Sequence, residues 1–190
     1  MITTKKIISS VLLFGMTATL VFFELPEGWF KAGSKPKSYD MGIDKGAGPD
    51  GKNAATIKSI DKKIDGFGTL MQTSSPQNYL GQRVRMTGFV KSKDVKEKAG
   101  LWFRVDQENS KKSLAFDNMN DRPITATSEW KKYEIVLDVP LNASKLAYGA
   151  VLSGTGQLWF DNINFEIVDS TISTTGRKEN KEPVNLDFGK

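Results

Sequence analysis

Residues 132–139 read Lys-Tyr-Glu-Ile-Val-Leu-Asp-Val, and this stretch decides the fold class. Its apolar side chains recur at every second position, and charged side chains fill most positions between them. A period of two places one set of side chains on each face of an extended strand. We therefore expect a β-strand with one face in a hydrophobic core. The core-facing set is Tyr133, Ile135, Leu137 and Val139.

The same alternation recurs on both sides of this stretch, separated by turn residues every 8–15 positions. Such spacing is typical of a β-sandwich or barrel. The clearest further strands are predicted at Gln82–Lys91, Leu101–Val105, Lys145–Leu152 and Gln157–Val168. Weaker ones are predicted at Trp29–Ala32, Ser38–Ile43, Ala54–Ser59 and Phe67–Gln72. Within Gln157–Val168 the alternation changes phase at Asp161-Asn162, which predicts a β-bulge there.

Composition excludes several kinds of site. The 190 residues are 38% hydrophobic and 26% charged, as in an ordinary globular domain, and they include neither His nor Cys. A Ser-His-Asp or Cys-His nucleophile is therefore impossible, as are disulfides and His- or thiolate-ligated zinc, haem or iron–sulfur centres. The net charge of +5 is mild, and the basic residues are interleaved with acids. This favours a solvated surface over nucleic-acid binding.

The first 26 residues have the pattern of an export signal. Lys5 and Lys6 precede an uncharged run from Ile7 to Phe23, which is 17 residues long. A positive segment followed by an apolar one is typical of a signal peptide, and this length is also near the minimum for crossing a bilayer. Two alternatives stay open, a cleaved signal peptide and an uncleaved membrane anchor. In both, we expect the remainder to be extracytoplasmic: periplasmic, on the cell surface or secreted.

The chain becomes polar after Val168. Ser170–Glu182 reads as a flexible linker, and it is followed by the alternating sequence Pro183-Val184-Asn185-Leu186-Asp187-Phe188. Two interpretations are open for this end: a strand that adds to a sheet edge, or a frayed terminus. The predicted organisation is thus a leader or anchor (1–26), a β-sandwich domain (27–168), and a polar linker with a C-terminal tail (169–190).

Several blocks of the middle domain, in their order and spacing, resemble the galactose-binding-like jelly-roll superfamily, which includes many bacterial carbohydrate-binding modules. The blocks are Gly81–Lys91, Gly100–Val105, Trp130–Pro140 and Gly154–Phe165. The resemblance implies an all-β fold, a single jelly-roll β-sandwich, here preceded by an N-terminal apolar leader helix. One departure is that Phe22–Pro26 stands where relatives often carry an Asn-Leu-Asp-Phe-Glu-like first strand. Such a sequence occurs here at Asn185–Phe188 instead.

In this superfamily the ligand lies on one sheet face or on the loops at one end. Sugar binding needs flat aromatic rings and planar hydrogen-bonding groups. On the predicted strands, Arg85, Phe89, Trp102 and Arg104 all have the parity opposite to the core. If the strands are neighbours, the four side chains share one outward face, which we take as the candidate ligand site. The alternative is that Trp102 is covered by a loop and Arg85 forms an ion pair.

A structural Ca²⁺ is a second implication of the resemblance, because many relatives bind one beside the last strand through an Asp. Asp161 is then the candidate metal ligand, and Asn162 departs from the second Asp of many relatives. The segment 114–123 is also rich in Asp and Asn, which either form Asx-turns or coordinate Ca²⁺.

These observations predict an exported, non-catalytic binding module for a carbohydrate-like ligand. The alternative is a protein-interaction or sensor module, of the kind attached to regulators, with a strand-adding C-terminal tail. The predicted partners are accordingly a carbohydrate-like ligand or a protein, with no nucleic acid, and the membrane if the N-terminal segment stays uncleaved. No cofactor other than the structural Ca²⁺ is expected.

Overall fold

The structure is a computed structural model that describes residues 23–176 and 186–187. The predicted leader helix and most of the predicted C-terminal tail lie outside these residues. No helix within the described part of the chain has the length and apolar character needed to cross a membrane.

The described residues fold almost entirely into β-strands, as the alternation predicts. Two short 3-10 helices, Pro36–Ser38 and Gln77–Tyr79, lie in connections between strands. The strands are β1 (Phe30–Gly33), β2 (Tyr39–Asp44), β3 (Ala54–Ser59), β4 (Phe67–Ser74), β5 (Gln82–Asp106), β6 (Ala115–Asp117), β7 (Ile124–Val139), β8 (Lys145–Ser153) and β9 (Gln157–Val168).

The long strand β5 connects the two layers of the molecule. Its N-terminal half pairs with β7 and β9, and its C-terminal half pairs with β8 and β6. Sheet I therefore has the order β2–β3–β9–β5–β7, and sheet II has the order β1–β4–β8–β5–β6. The two predicted strands Gln82–Lys91 and Leu101–Val105 are thus the two ends of one strand. Register shifts between Val90 and Ala99 mark its bend.

The core lies between the two sheets. Phe165 of sheet I packs edge-on against two rings of sheet II, with centroids 5.4 Å from Phe103 and 4.7 Å from Tyr148. The predicted inward faces of the strands are buried: Ile135 and Leu137, for example, are 0% and 2% exposed. The all-β jelly-roll-like sandwich is therefore confirmed.

The predicted bulge in β9 is present at the predicted place. Asn162 has a φ of +53°, and the pairing with β5 shifts register between Thr87 and Phe89, opposite this point. An extra residue in one strand changes which side chains face the core. This is why Phe160 and Ile163 both point inward although they are three positions apart.

The chain after β9 folds back over the outer side of sheet I. The Arg83 guanidinium donates two hydrogen bonds of 2.5 Å, to the carbonyl oxygens of Ser170 and Ile172. Further on, the Thr175 amide donates to the Val136 carbonyl oxygen of β7 at 2.9 Å. The start of the predicted linker is therefore fastened to the domain as far as residue 176.

Candidate functional site

The four predicted ligand residues lie on β5, but the structure does not bring them together. Arg85 and Phe89 belong to its N-terminal half and point outward from sheet I. Trp102 and Arg104 belong to its C-terminal half and point outward from sheet II. The expectation of one shared face was wrong, because β5 passes from one layer to the other between the two pairs.

On the outer face of sheet I, Arg85 is held by carboxylates on both sides. Its Nη1 donates to Glu166 Oε1 at 3.0 Å, and its Nε lies 3.3 Å from Glu134 Oε2. This matches the alternative of an ion-paired arginine, with partners on both neighbouring strands. Phe89 is half-buried nearby, with Asp161 and Lys132 as its cross-strand neighbours.

Trp102 lies on the outer face of sheet II but is only 7% exposed. Its Nε1 donates to Thr69 Oγ1 at 2.8 Å, and the Thr69 hydroxyl donates in turn to the Ala150 carbonyl oxygen at 2.7 Å. Between Trp102 and β4 stands Gly149, the cross-strand neighbour of Trp102, which leaves room for the indole. The ring is therefore packed onto the sheet and presents no open face for stacking in this conformation.

Arg104 keeps more of its side chain in solvent. Its side chain is 40% exposed, and its Nε lies 2.9 Å from Asp106 Oδ1. Lys145 lies 3.8 Å from the other oxygen of Asp106, so this carboxylate has two basic neighbours. The guanidinium of Arg104 thus lies at the surface, and its ion pair with Asp106 fixes its orientation.

Sequence reasoning missed the exposed aromatic side chains on the same face of sheet II as Arg104. Among the described residues, three phenylalanines are exposed: Phe30, Phe67 and Phe116, at 42%, 39% and 40%. All three point outward from sheet II. Phe116 is the direct cross-strand neighbour of Arg104, and Phe30 is the neighbour of Met71. Parity gave no signal for Phe30, because Trp29–Ala32 carries apolar side chains on both faces.

The middle strand of this face, β8, carries small side chains. Ala147 is 0% exposed and Gly149 has no side chain. The exposed rings stand on the outer strands, with Phe30 on β1 and Phe116 on β6. Four strand spacings separate β1 from β6, a width of about 19 Å. We call this surface, formed by Phe30, Phe67, Trp102, Arg104 and Phe116, the sheet II face.

The loop that follows β6 closes one end of the sheet II face. A Cβ at Gly100 would lie 3.3 Å from Met119 Cβ, so the loop lies directly over β5 there. Asp117 fixes the loop: it accepts the Met119 amide at 2.8 Å and pairs with Arg122 Nη2 at 2.7 Å. Of the two interpretations of this segment, the structure shows the Asx-turn at Asp117.

Asp161, the predicted metal ligand, lies at a cleft of about 320 Å³ beside the start of β3. The cleft is also lined by Trp29, Asn53 and Asn162, and Asp161 is the one carboxylate among its described lining residues. Within residues 23–176 and 186–187, no three Asp or Glu side chains come together as a metal-binding group. The role of Asp161 as a metal ligand stays a prediction.

The chain is similar in sequence to a curated protein of Bacillus subtilis (strain 168), named uncharacterized HTH-type transcriptional regulator YbfP. The two are 42% identical over 167 residues, which are 85% of this chain and 56% of the relative. The chain thus spans little more than half of that protein. No family model matches the chain.

Solved structures share the fold at low sequence identity. The CBM22-1 xylan-binding domain of Paenibacillus barcinonensis Xyn10C has a TM-score of 0.53 at 15% identity, covering 77% of this chain and 89% of the other. The CBM22-1–GH10 modules of Clostridium thermocellum Xyn10B, complexed with xylohexaose, have a TM-score of 0.54 at 15% identity, covering 74% of this chain and 26% of theirs.

An enzyme has the same fold. The Stig cyclase Fisc from Fischerella sp. TAU has a TM-score of 0.53 at 15% identity, covering 80% of this chain and 92% of the cyclase. One architecture therefore carries both binding and catalysis. The chain thus shares the β-sandwich fold of these carbohydrate-binding modules, as the resemblance implied.

Proposed function

We propose that this chain is a non-catalytic binding module that holds a carbohydrate-like ligand on the sheet II face. One observation carries the proposal: the exposed phenylalanines of the described residues all lie on this face, and one of them, Phe116, is the direct cross-strand neighbour of Arg104. Exposed aromatic rings cost solvation free energy, and apolar side chains that are exposed on one face of a domain are typical of a binding surface.

The chemistry of the face suits a sugar. The C–H faces of a pyranose ring pack against aromatic rings, while its hydroxyl groups need planar donors and acceptors. Phe116 and Arg104 are direct neighbours, so a ring stacked on Phe116 has a guanidinium beside its edge. The exposed phenylalanines take the stacking role that the sequence predicts for Trp102. Trp102 itself packs within the sheet II face, beneath the bound ligand. Arg85 and Phe89, on the opposite face, have no part in this site.

A titration tests the proposal. The chain is titrated by calorimetry with a panel of soluble glycans that includes xylan, and the best ligand is repeated with Phe116→Ala and Arg104→Ala. Loss of one buried aromatic contact is expected to weaken binding by about tenfold or more. Leu141→Ala is the matched control, because Leu141 is 79% exposed and lies in the connection before β8. Binding that is absent throughout the panel, or unchanged in both variants, contradicts the proposal.

We also propose that the module is exported. The support is the uncharged run from Ile7 to Phe23 behind Lys5 and Lys6. Cell fractionation with antibody against the domain tests this, and a cytoplasmic, soluble pool would contradict it.

The second candidate function is a sensor or interaction module of a regulator. The observation that favours it is the 42% identity to YbfP over 85% of this chain. In that setting the same face would bind a ligand or partner as a signal. If the glycan panel gives no binding, while Phe116→Ala and Arg104→Ala abolish binding of a partner protein, the second candidate is favoured.

A further inference from the structure

Strand β9 is only half enclosed within sheet I. On one side it pairs with β5 over nearly its whole length, from Gln157 to Val168. On the other side β3 pairs with it only over residues 157–160. Among residues 23–176 and 186–187, no strand lies beyond residues 162–168 on that side. We call this place, next to residues 162–168, the β9 notch.

The inward-facing side chains along the β9 notch are incompletely covered. Ile167 points toward the core yet is 53% exposed, whereas its cross-strand neighbour Val84 is 0% exposed. Ile163 and Phe165, earlier on the same side, are half-buried. Uncovered apolar side chains next to an unpaired strand backbone form a template for another strand.

The notch has a defined upper end. There the cleft of about 320 Å³ lies between the start of β3 and the bulge of β9, with Asn53, Asn162 and Ile163 among its lining residues. A strand added in the notch would lie in line with β3, next to residues 162–168 of β9. The β9 notch is therefore bounded by β9 along its length and by β3 at the end nearest the cleft.

We propose that residues 184–188 of the same chain dock in the β9 notch as an added strand. Their sequence, Val-Asn-Leu-Asp-Phe, alternates apolar and polar side chains. With Val184, Leu186 and Phe188 inward, it covers Ile163, Phe165 and Ile167, and its polar residues lie beside Asn164 and Glu166 on the outer face. The residues before Phe23 fit less well, because Leu20-Val21-Phe22 is apolar on both faces.

The connection is long enough for docking within one chain. Gly176 lies at the edge of β6 and β7, where an added Cβ would be 2.8 Å from Leu137 Cδ2. From β7 across β5 and β9 to the notch is about three strand spacings, or about 14 Å. The eight steps from residue 176 to residue 184 span up to about 27 Å when extended. In the structure Leu186 lies in a turn and is 73% exposed, so docking would bury it.

Amide hydrogen exchange of the full chain in detergent micelles, followed by NMR, tests the inference. Every second amide of residues 162–168 points away from β5, and these amides are protected only if the notch is filled. We expect Leu186→Ser to speed their exchange by about tenfold or more, the factor for burial of one leucine. Asn185→Ser is the matched control, since residue 185 would face solvent, and it should leave the rates unchanged. Protected amides in residues 84–90 of β5 show that each variant is folded.

Three results would overturn the inference. Exchange at residues 162–168 that is equally fast in the wild type and in Leu186→Ser means that the notch stays open. Protection that is insensitive to Leu186→Ser and extends to amides 17–22 assigns the strand to the leader. Protection that disappears on dilution assigns it to a second copy of the chain.

Discussion

Replacing Trp102 with Ala separates a packing residue from a ligand contact. The indole is 7% exposed and its Nε1 donates to Thr69 Oγ1 at 2.8 Å. Burial of about 200 Å² at about 25 cal/mol per Å² contributes about 5 kcal/mol as an upper estimate. Measured Trp→Ala substitutions in cores cost about 3–5 kcal/mol. We therefore expect Trp102→Ala to lower the free energy of unfolding by about 4 kcal/mol.

Urea denaturation followed by far-UV circular dichroism measures this loss. With a slope of about 2 kcal/mol per M, the midpoint should fall by about 2 M. Phe116→Ala is the comparison, because Phe116 is 40% exposed and its removal should cost under about 1.5 kcal/mol. If Trp102→Ala costs less than about 1 kcal/mol, the indole is not seated as the structure shows. Trp102 would then be available to stack on a ligand, as the sequence predicts.

Three further predictions concern stability. Burial raises the pKa of Tyr39 to about 12, so the unfolded state loses this proton near pH 10 while the folded state keeps it. Stability should fall by about 1.4 kcal/mol per pH unit between pH 10 and 12 from this group, and Tyr39→Phe should remove that part of the slope in urea titrations. Gly149→Ala should cost about 3 kcal/mol in thermal unfolding, because its Cβ would lie 2.2 Å from the Leu70 carbonyl oxygen. Arg83→Ala releases Ile172 and should speed proteolysis of residues 169–176, with a change in global stability within about 1 kcal/mol.

The alternation of side chains was sufficient to predict most of the strands and the bulge of β9, although not β6 or the first half of β7. Each of these is a local property: a residue either faces the core or does not, and Asp161-Asn162 changes that phase within one strand. Which sheet a strand joins is not local. Val84 and Leu101 both face the same core, so the pattern of β5 is the same whichever layer each half occupies. The sequence therefore could not show that Arg85 and Arg104 stand on opposite faces.

The exposed phenylalanines were missed for a related reason. Phe116 lies in a three-residue strand, Ala115–Asp117, which is too short to show a period. Phe30 directly follows Trp29, and two adjacent aromatic residues do not indicate which of them faces the core. In the structure Trp29 is the inward one, with its ring centroid 5.5 Å from that of Phe160. Only the register with Met71 and Arg104 places both rings on the surface of sheet II.

The charges on the two faces give a reason to place the ligand on sheet II. Arg85 lies between Glu134 and Glu166, at 3.3 Å and 3.0 Å, and a ligand that takes its guanidinium leaves two carboxylates side by side without their cation. That loss offsets what the new contact contributes. Within the described part of the chain Arg104 has one carboxylate partner, Asp106, which accepts from its Nη2 at 2.9 Å and which Lys145 also approaches at 3.8 Å. When a ligand draws Arg104 away, Asp106 keeps Lys145 as a basic neighbour, which offsets part of the cost of leaving this largely buried carboxylate.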